Sequence, residues 1–393
     1  MLRKPFTEQK SAGPAWQEEF LSKLKADIRY AGNLGQVRSW ADIPVMSELP
    51  SKKGWDSSFP STLGYFSSST TGEPKYVEYT HDDWRQTVAH RAACLAALGI
   101  RAQDTVGVLV SFGPWFSGQN ITDALLVIGA RVIPSGIYLP HLPGVGRLLQ
   151  KCKATGIVAT PSVALALKNA SPKMELKHLI LVGEAASSTV RERLQDHFAA
   201  APRSLFACSE AVLGYEDATK QGLYHWDREL LHLEVLDEKG YISEMGRGEL
   251  LVTRRYGTCT PLIRYRLGDY VELWPKGSFR FLGRTGHGFS LASGVTLSRA
   301  ILEQYLEKIN YSTPLAEFHL EHGADGRDRL KIRLGSSGNE ALDTEQAKNA
   351  FVSLTPDIHD VAACGYLDVE VFTFEAEFSN KRRIRVSETP WRY

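Results

Sequence analysis

Cysteine is scarce and scattered. The five cysteines among 393 residues (Cys94, Cys152, Cys208, Cys259 and Cys364) form no C-x-x-C pair and no Cys/His cluster at zinc spacing. Neither a disulfide framework nor a metal staple is therefore expected. An excess of one charge is also missing, since 46 basic side chains face 45 acidic ones for a formal net charge of +1. That balance argues against a polyanion-binding surface, and with it against nucleic acid as a partner. No apolar run approaches the roughly 20 residues that span a bilayer, so no membrane partner is expected. The stretch from Ala124 to Ile133 is too short and reads as buried core. Met1 to Lys10 is polar and lacks the apolar core of a signal peptide, so a reduced, cytoplasmic protein is expected. Internal repeats and low-complexity tracts are absent.

What is present is the balance of a soluble globular chain, 43% hydrophobic and 23% charged residues. Its length suits one large and one small domain. A helix is predicted over Trp16 to Tyr30. From Gly64 onward, short apolar runs alternate with amphipathic segments. Strands are predicted at Thr105 to Phe112, Arg131 to Pro134, Gly156 to Thr160 and His178 to Gly183. Helices are predicted at Ile121 to Gly129, Gly144 to Ala154 and Thr189 to Ala199. This alternation implies a mostly parallel sheet with helices on its faces. After about Leu223 helices stop, and Leu230 to Leu236, Gly248 to Thr253 and Asp269 to Leu273 read as strands of a β-rich appendix. A glycine-rich seam follows, with glycines at 283, 286, 288 and 294. Beyond it come a helix (Ser298 to Lys308), a hairpin (Ala316 to Leu334), a helix (Thr344 to Leu354) and a strand (Tyr366 to Phe374). The expected class is α/β: a large domain over 1–283, with mostly parallel sheets and a β-rich subdomain, and a small mobile α+β domain over 284–393.

The sharpest local signal is Ser67-Ser68-Ser69-Thr70-Thr71-Gly72-Glu73-Pro74-Lys75. Hydroxyls, backbone N–H groups and one lysine packed this densely can wrap phosphate oxygens. The spacing is not that of the G-x-x-x-x-G-K-[ST] loop, and such a run also fits a flexible surface loop. The apolar flanks Tyr65-Phe66 and Tyr76-Val77 favour an ordered loop between strands. Further on, Thr260 to Asp269 carries Arg264 and Arg266 inside an apolar stretch. An edge strand with solvated arginines is one reading of it. The other places Asp269 against vicinal hydroxyls, as acidic residues sit at ribose sites, with Arg284 adding a cation.

These pieces, in this order, resemble the adenylate-forming superfamily of acyl-CoA synthetases, and within it the phenylacetate–coenzyme A ligase branch. Ser67 to Pro74 is similar to that branch's S-S-G-T-T-G-x-P, and Tyr79-Thr80 to the step that follows it. Phe112-Gly113-Pro114-Trp115-Phe116-Ser117-Gly118 resembles its aromatic, glycine-rich helix start, and Arg131 to Pro134 the next strand. Gly183-Glu184-Ala185 resembles G-A-E, Phe206 to Glu210 resembles Y-G-x-S-E, and Gly222 to Trp226 resembles G-x-H-x-W. Arg264 to Asp269 matches R-Y-R-x-G-D, and Ser379-Asn380-Lys381 falls where the family has a glycine–lysine pair.

The resemblance implies ATP, magnesium (Mg2+) and coenzyme A, or the phosphopantetheine of a carrier protein, as cofactors and partners. It also implies a small aromatic carboxylic acid as substrate, and it allows a homodimer. Residues Ser67, Ser68, Ser69, Thr70, Thr71, Gly72 and Lys75 would hold the β- and γ-phosphates. Glu210 would ligate magnesium while Ser209 fixes the α-phosphate. Gly183, Glu184 and Ala185 would line the adenine, and Asp269 with Arg284 the ribose. Lys381 would stabilise the charge that develops as the carboxylate attacks the α-phosphorus. Phe112, Gly113, Trp115, Phe206 and Ala207 would form a slot for a flat ring.

The chain departs from the family pattern at four places. Ser69 replaces a loop glycine, Phe206 a tyrosine and Ala207 a glycine. At the hinge, Arg284-Thr285-Gly286-His287-Gly288 lacks the family's pivot carboxylate. Besides transfer to a thiol, an acyl-protein synthetase of the bioluminescence type and a non-catalytic nucleotide-binding relative stand as alternative readings.

Overall fold

Valine, isoleucine and leucine runs covered on both faces make the central strands, and the elements around them follow from their flanking caps. The computed structural model describes residues 17, 18, 22, 40–47, 62–66, 76–137, 141–183, 186, 188–257, 259–284, 288–291, 295–309, 311, 315–322, 327–336, 343–375 and 383–389. The helix predicted over Trp16 to Tyr30 lies almost wholly outside these residues. A hairpin of β1 (Thr62–Phe66) and β2 (Tyr76–Thr80) comes first, with Phe66 opposite Tyr76. Helix α1 (His81–Ala97) follows at once. The Thr80 hydroxyl accepts from the Asp83 amide and the Asp83 carboxylate accepts from the Thr80 amide, a reciprocal cap that fixes the helix start.

Strands and helices then alternate: β3 (Thr105–Leu109), α2 (Phe116–Ile128), β4 (Arg131–Ile133), α3 (Leu142–Lys151), β5 (Gly156–Ala159), α4 (Pro161–Ala170), β6 (His178–Val182), α5 (Ser188–Phe198) and β7 (Pro202–Ala207). In space the order is β7-β6-β5-β3-β4, and every neighbouring pair is parallel. Val106, Val108, Ile157, Val158 and Leu181 are completely buried, as strands covered by helices on both faces require. At β8 (Val212–Glu216) the chain turns back antiparallel to β7. Then follow β9 (Leu223–His225), β10 (Leu231–Leu236), β11 (Ile242–Ser243), β12 (Gly246–Arg254), β13 (Tyr265–Trp274) and β14 (Ser278–Arg284). The β-rich part is no separate layer. It continues the parallel strands into one twelve-stranded sheet, β11-β10-β12-β13-β14-β9-β8-β7-β6-β5-β3-β4.

Past the glycine seam the chain forms a short hairpin, β15 (Gly288–Ser290) with β16 (Thr296–Ser298), and helix α6 (Arg299–Lys308). Next come β17 (Leu315–His322), β18 (Asp328–Ser336), α7 (Thr344–Val352), α8 (Pro356–Ala363), β19 (Leu367–Glu375) and β20 (Arg383–Thr389). They build a four-stranded sheet in the order β19-β18-β17-β20, antiparallel at its centre and parallel at both edges. One apolar cluster runs from Leu167 and Phe198 on α4 and α5 through to Phe318, Leu330 and Val369 in the small sheet. The Asn169 amide donates to the Tyr366 hydroxyl across this junction at 2.9 Å.

The amino ends of β3, β5 and β6 carry a polar knot. The Thr155 hydroxyl donates to Asp104 at 2.9 Å, and His178 Nε2 lies 3.4 Å from the other Asp104 oxygen. Burial holds the His178 imidazole below its ordinary value, against the pull of the Asp104 charge. The unfolded chain, with histidine near about 6.5, therefore takes up this proton first as pH falls. The stabilisation is fully present above about pH 6.5 and is lost below it. We expect the urea midpoint to fall as pH is lowered below about 6.5, and His178→Gln to shrink that fall. An unchanged pH slope in the variant would refute the assignment.

Candidate active site

All five parallel strands present their carboxyl ends along one edge of the sheet. β4 and β5 lie on opposite sides of β3, so the connections diverge there and open a crevice, the usual ligand position in such sheets. The loop after β3 carries Phe112, Gly113 and Trp115 to this edge. β6 delivers Gly183, whose φ of +86° favours glycine, and β7 delivers Phe206, Ala207 and the turn beyond them.

The hairpin β1/β2 is anchored on that edge. The Phe66 amide donates to the Pro114 carbonyl at 2.9 Å, and Phe66 bridges to Trp115 in parallel register. From the other side, the Ser209 hydroxyl donates to the Phe66 carbonyl at 3.3 Å. The two ends of segment 67–75, Phe66 and Tyr76, thus face each other beside the loop after β3 and the turn after β7. Ser67, Ser68, Ser69, Thr70, Thr71, Gly72 and Lys75 themselves lie outside the described residues. So do Glu184, Ala185 and Lys381.

The turn Cys208 to Ala211 joins β7 to β8 and is closed by the Cys208 amide donating to Ala211 O at 2.9 Å. It is held from beneath. The Tyr79 hydroxyl donates to the Ser209 carbonyl, and burial, which raises the phenol pKa, keeps that donor protonated. Arg254 Nη1 donates to the Glu210 carbonyl at 2.9 Å. The Glu210 side chain is 4% exposed and accepts from the Tyr265 hydroxyl at 3.4 Å. Tyr265 lies between Arg264 and Arg266, so the arginine-rich strand reaches the turn through its tyrosine. Burial pushes the Cys208 thiol well above its usual range, and the charges of Glu210 and Asp269 push the same way. These two carboxylates therefore act on one small region.

Asp269 is 4% exposed and pairs across the sheet with Arg284, directly after Gly268, whose φ is +83°. The reading of this stretch as an edge strand fails, because β13 runs between β12 and β14, and of its two arginines only Arg266 is solvent-exposed. Arg264 is buried and binds Glu234 through two bonds of 2.9 Å, with a third to the Ile43 carbonyl at 2.9 Å. Arg266 binds Glu249. Arg264 is committed to bracing the sheet, whereas Arg266 forms its pair at the surface, where such pairs contribute little.

The candidate acid slot is brought together in part. Phe112, Gly113 and Trp115 share one loop. Phe206 turns its ring into an aromatic group with Tyr224, Phe279 and Phe281 at centroid distances of 5.4, 5.3 and 5.5 Å. A cavity of about 200 Å³ lies elsewhere, between Trp226, His232 and Trp274; of the residues in the matched motifs only Trp226 lines it, and none of the residues given a site role does. Sequence reasoning missed Arg254 and the donor role of Tyr265. The available signal was the arginine pair Arg254-Arg255 closing the apolar strand Leu250-Leu251-Val252-Thr253.

Chemically, a buried carboxylate next to a hydroxyl-rich segment suits a divalent cation that bridges phosphate oxygens. Among the described residues no group of three or more His, Cys, Asp or Glu side chains is placed to hold a metal. A cation at Glu210 would take its remaining oxygens from phosphate and water, which is how magnesium is held at nucleotide sites.

The comparisons agree with this geometry. The family model described as "AMP-binding enzyme" matches residues 47–257. The phenylacetate-coenzyme A ligase of Pseudomonas putida is 25% identical over 336 residues, covering 77% of this chain and 74% of that protein. That of Aromatoleum evansii is 27% identical over 318 residues, covering 74% and 70%. Among solved structures, 2-hydroxyisobutyryl-CoA ligase in complex with 2-HIB-AMP and CoA in its thioesterification state gives a TM-score of 0.71 at 18% identity, covering 96% of this chain and 91% of that one. An open conformation of the same ligase gives 0.59 at 18% identity, covering 95% and 92%. At this identity the likeness is one of fold.

The Arg264–Glu234 pair below the turn gives a direct test of what braces the site. Both side chains are 6% exposed. Burial disfavours the Glu234 anion, yet the nearby His232, 3.7 Å away, and the hydrogen bonds from Arg264 hold its carboxyl down at about 2. Arg264→Met should cost on the order of 3–5 kcal/mol in urea denaturation, because it strands a buried charge. The double variant with Glu234→Met should recover a large part of that. A single-variant loss under about 1 kcal/mol, the size of a surface pair, would contradict this account.

Proposed function

Because this chain belongs to the AMP-binding enzyme family, in the phenylacetate–coenzyme A ligase-like branch of adenylate-forming enzymes, we propose that it activates a small aromatic carboxylic acid as its acyl-adenylate and passes the acyl group to coenzyme A. The observation that carries the reading is the meeting of three elements at one sheet edge: the anchors of segment 67–75, the turn bearing Ser209 and Glu210, and the strand bearing Tyr265 and Asp269.

In the first half-reaction a carboxylate oxygen of the acid attacks the α-phosphorus of ATP. The bond from that phosphorus to the bridging oxygen breaks, and pyrophosphate leaves. Ser67 to Lys75 hold the β- and γ-phosphates, and Ser209 orients the α-phosphate. Glu210 would hold magnesium, which would supply charge neutralisation on the phosphates. Gly183, Glu184 and Ala185 border the adenine, Asp269 and Arg284 take the ribose, and Lys381 offsets the charge gathering on the α-phosphate. The acid lies along Phe112, Gly113, Trp115 and Ala207, with Phe206 at its edge. In the second half-reaction the coenzyme A sulfur attacks the acyl carbon, the bond to AMP breaks, and the thiol proton leaves to solvent.

Residues 1–283 form the catalytic body in this proposal, and 284–393 the lid. The Gly283 φ of +141° at the end of β14 supports a pivot at the seam, where glycines take the place of the missing carboxylate. The higher TM-score against the relative in its thioesterification state, 0.71 against 0.59 for its open conformation, supports giving this chain the transfer half as well.

Pyrophosphate exchange into ATP across a panel of benzoic, arylacetic and aliphatic acids tests the proposal. An aromatic acid should support exchange, and product mass should show its coenzyme A thioester. Glu210→Gln should lower the exchange rate by about 10²-fold or more with the circular dichroism unchanged. Exchange with aliphatic acids only would refute the aromatic slot. No exchange with any acid would refute the enzyme.

A further inference from the structure

Arg254 is one of the largest completely buried side chains of the protein. Each of its nitrogens donates to a main-chain carbonyl: Nε to Tyr256 at 3.2 Å, Nη1 to Glu210 at 2.9 Å and Nη2 to Thr260 at 2.7 Å. The guanidinium carbon sits 5.2 Å from the Tyr79 ring centroid and 5.3 Å from that of Tyr256. Tyr79 stacks on Phe116 at 5.5 Å and spends its hydroxyl on the Ser209 carbonyl. Two adjacent carbonyls of the turn, at Ser209 and Glu210, are thus tied down by two side chains that also contact each other.

Residues 254–257 and 259–260 pack tightly around this cation. A side chain at Gly257, where φ is +87°, would place its Cβ 3.0 Å from Arg254 Nη2. The Cys259 amide donates to Asp83 at 3.1 Å, and the Thr260 hydroxyl accepts from the Glu78 amide at 2.9 Å. Residues 259–260 are thereby fastened to α1 and β2. A planar fork of donors can meet three carbonyls in different directions, which an ammonium on a shorter reach cannot do.

We infer that Arg254 and Tyr79 are positioning residues for adenylation: they clamp the backbone of the Ser209–Glu210 turn so that its side chains meet the nucleotide and its magnesium in a fixed geometry. The inference rests on the function proposed above and adds residues that touch neither substrate nor metal. A misplacement of the turn by a fraction of an ångström changes how charge is stabilised in the transition state. It leaves the acid slot on the loop after β3 as it was.

Tyr79→Phe, Arg254→Lys and Glu210→Gln are compared in pyrophosphate exchange, with thermal unfolding run on each. Tyr79→Phe and Arg254→Lys should lower kcat by about 10-fold to 10²-fold. They should raise the magnesium concentration for half-maximal rate several-fold, on the order of what losing one orienting contact around a metal site costs. The KM for the acid should stay within about twofold, because its contacts are untouched. If Arg254→Lys does not fold, Tyr79→Phe decides, since it removes one hydroxyl and keeps the ring. Wild-type magnesium dependence in both folded variants, with Glu210→Gln still inactive, would overturn the clamp and leave the proposed function standing. A rate loss that only follows the unfolded fraction would overturn it equally. No exchange by the wild-type chain with any acid would sink both.

Discussion

A backbone that reverses inside a sheet must find partners for the carbonyls it turns away from the ladder, and here that constraint falls at Ser209 and Glu210. β7 is the last of the parallel strands and β8 the first of the antiparallel ones. Strand pairing cannot satisfy the carbonyls at the reversal, and an unpaired buried carbonyl is costly. Tyr79 comes from the hairpin before the large sheet, and Arg254 from β12 on its antiparallel side. The turn therefore draws together three parts of the chain that are remote in sequence. The same step joins the two halves of the sheet and fixes where its functional edge lies.

Around that turn the β-rich half adds charge pairs to its own apolar cluster, which includes Leu233, Val252, Val271 and Phe279. Arg264 reaches Glu234 on β10, and its third nitrogen holds the Ile43 carbonyl, so the segment Trp40–Asp42 and its neighbours are fastened beneath the strand. Arg191 on α5 does the same for the parallel half, donating to Glu216 at 3.0 Å and to Ser204 at 2.7 Å. Such pairs offset their desolvation only where geometry is good and further hydrogen bonds complete them. Arg264 meets that condition, with the Ile43 carbonyl taking its third nitrogen, whereas Arg191 adds a bond to the Pro202 carbonyl but leaves its buried Nε without a hydrogen-bond partner among the described residues. Rigid bracing suits an edge that must hold a polar turn in place.

Much of the fold was legible. β3, β5 and β6 announce themselves as short β-branched runs, and beyond the seam α6, the β17/β18 hairpin, α7 and β19 were readable, whereas the β15/β16 hairpin, α8 and β20 were not. Helix α1 was not, although it is the longest helix among the described residues. Its buried face carries Asp83, Thr87, His90 and Arg91 beside Ala92 and Leu95, so no apolar stripe recurs at helical spacing. Its start was visible all the same in Thr80 followed by Asp83. Helix α4 hides for the opposite reason, since Pro161 to Ala170 is apolar on nearly every side. At the site, motif residues such as Glu210 and Asp269 were legible as chemistry. Arg254 was not, because its partners are main-chain carbonyls, and a sequence gives no sign of which carbonyls a fold leaves unpaired.

The division between rigid and movable parts follows from the same placement. On the proposed reading, the groups that must not move sit on strands or on a turn clamped from below, whereas Lys381 is carried by the chain beyond the glycine seam. Two half-reactions that need different neighbours around one acyl group can then share a single slot, provided only the lid changes position. A pivot carboxylate would bias that motion through a charge contact. Glycines supply backbone freedom without such a bias. The balance between lid positions then rests on how the small sheet packs, and in this structure Tyr366 and its apolar neighbours settle against α4 and α5. An equilibrium set by a broad apolar contact responds to whatever the crevice holds only through displacement of the lid as a whole, so occupancy of the slot and position of the lid are coupled sterically, without a dedicated ionic switch.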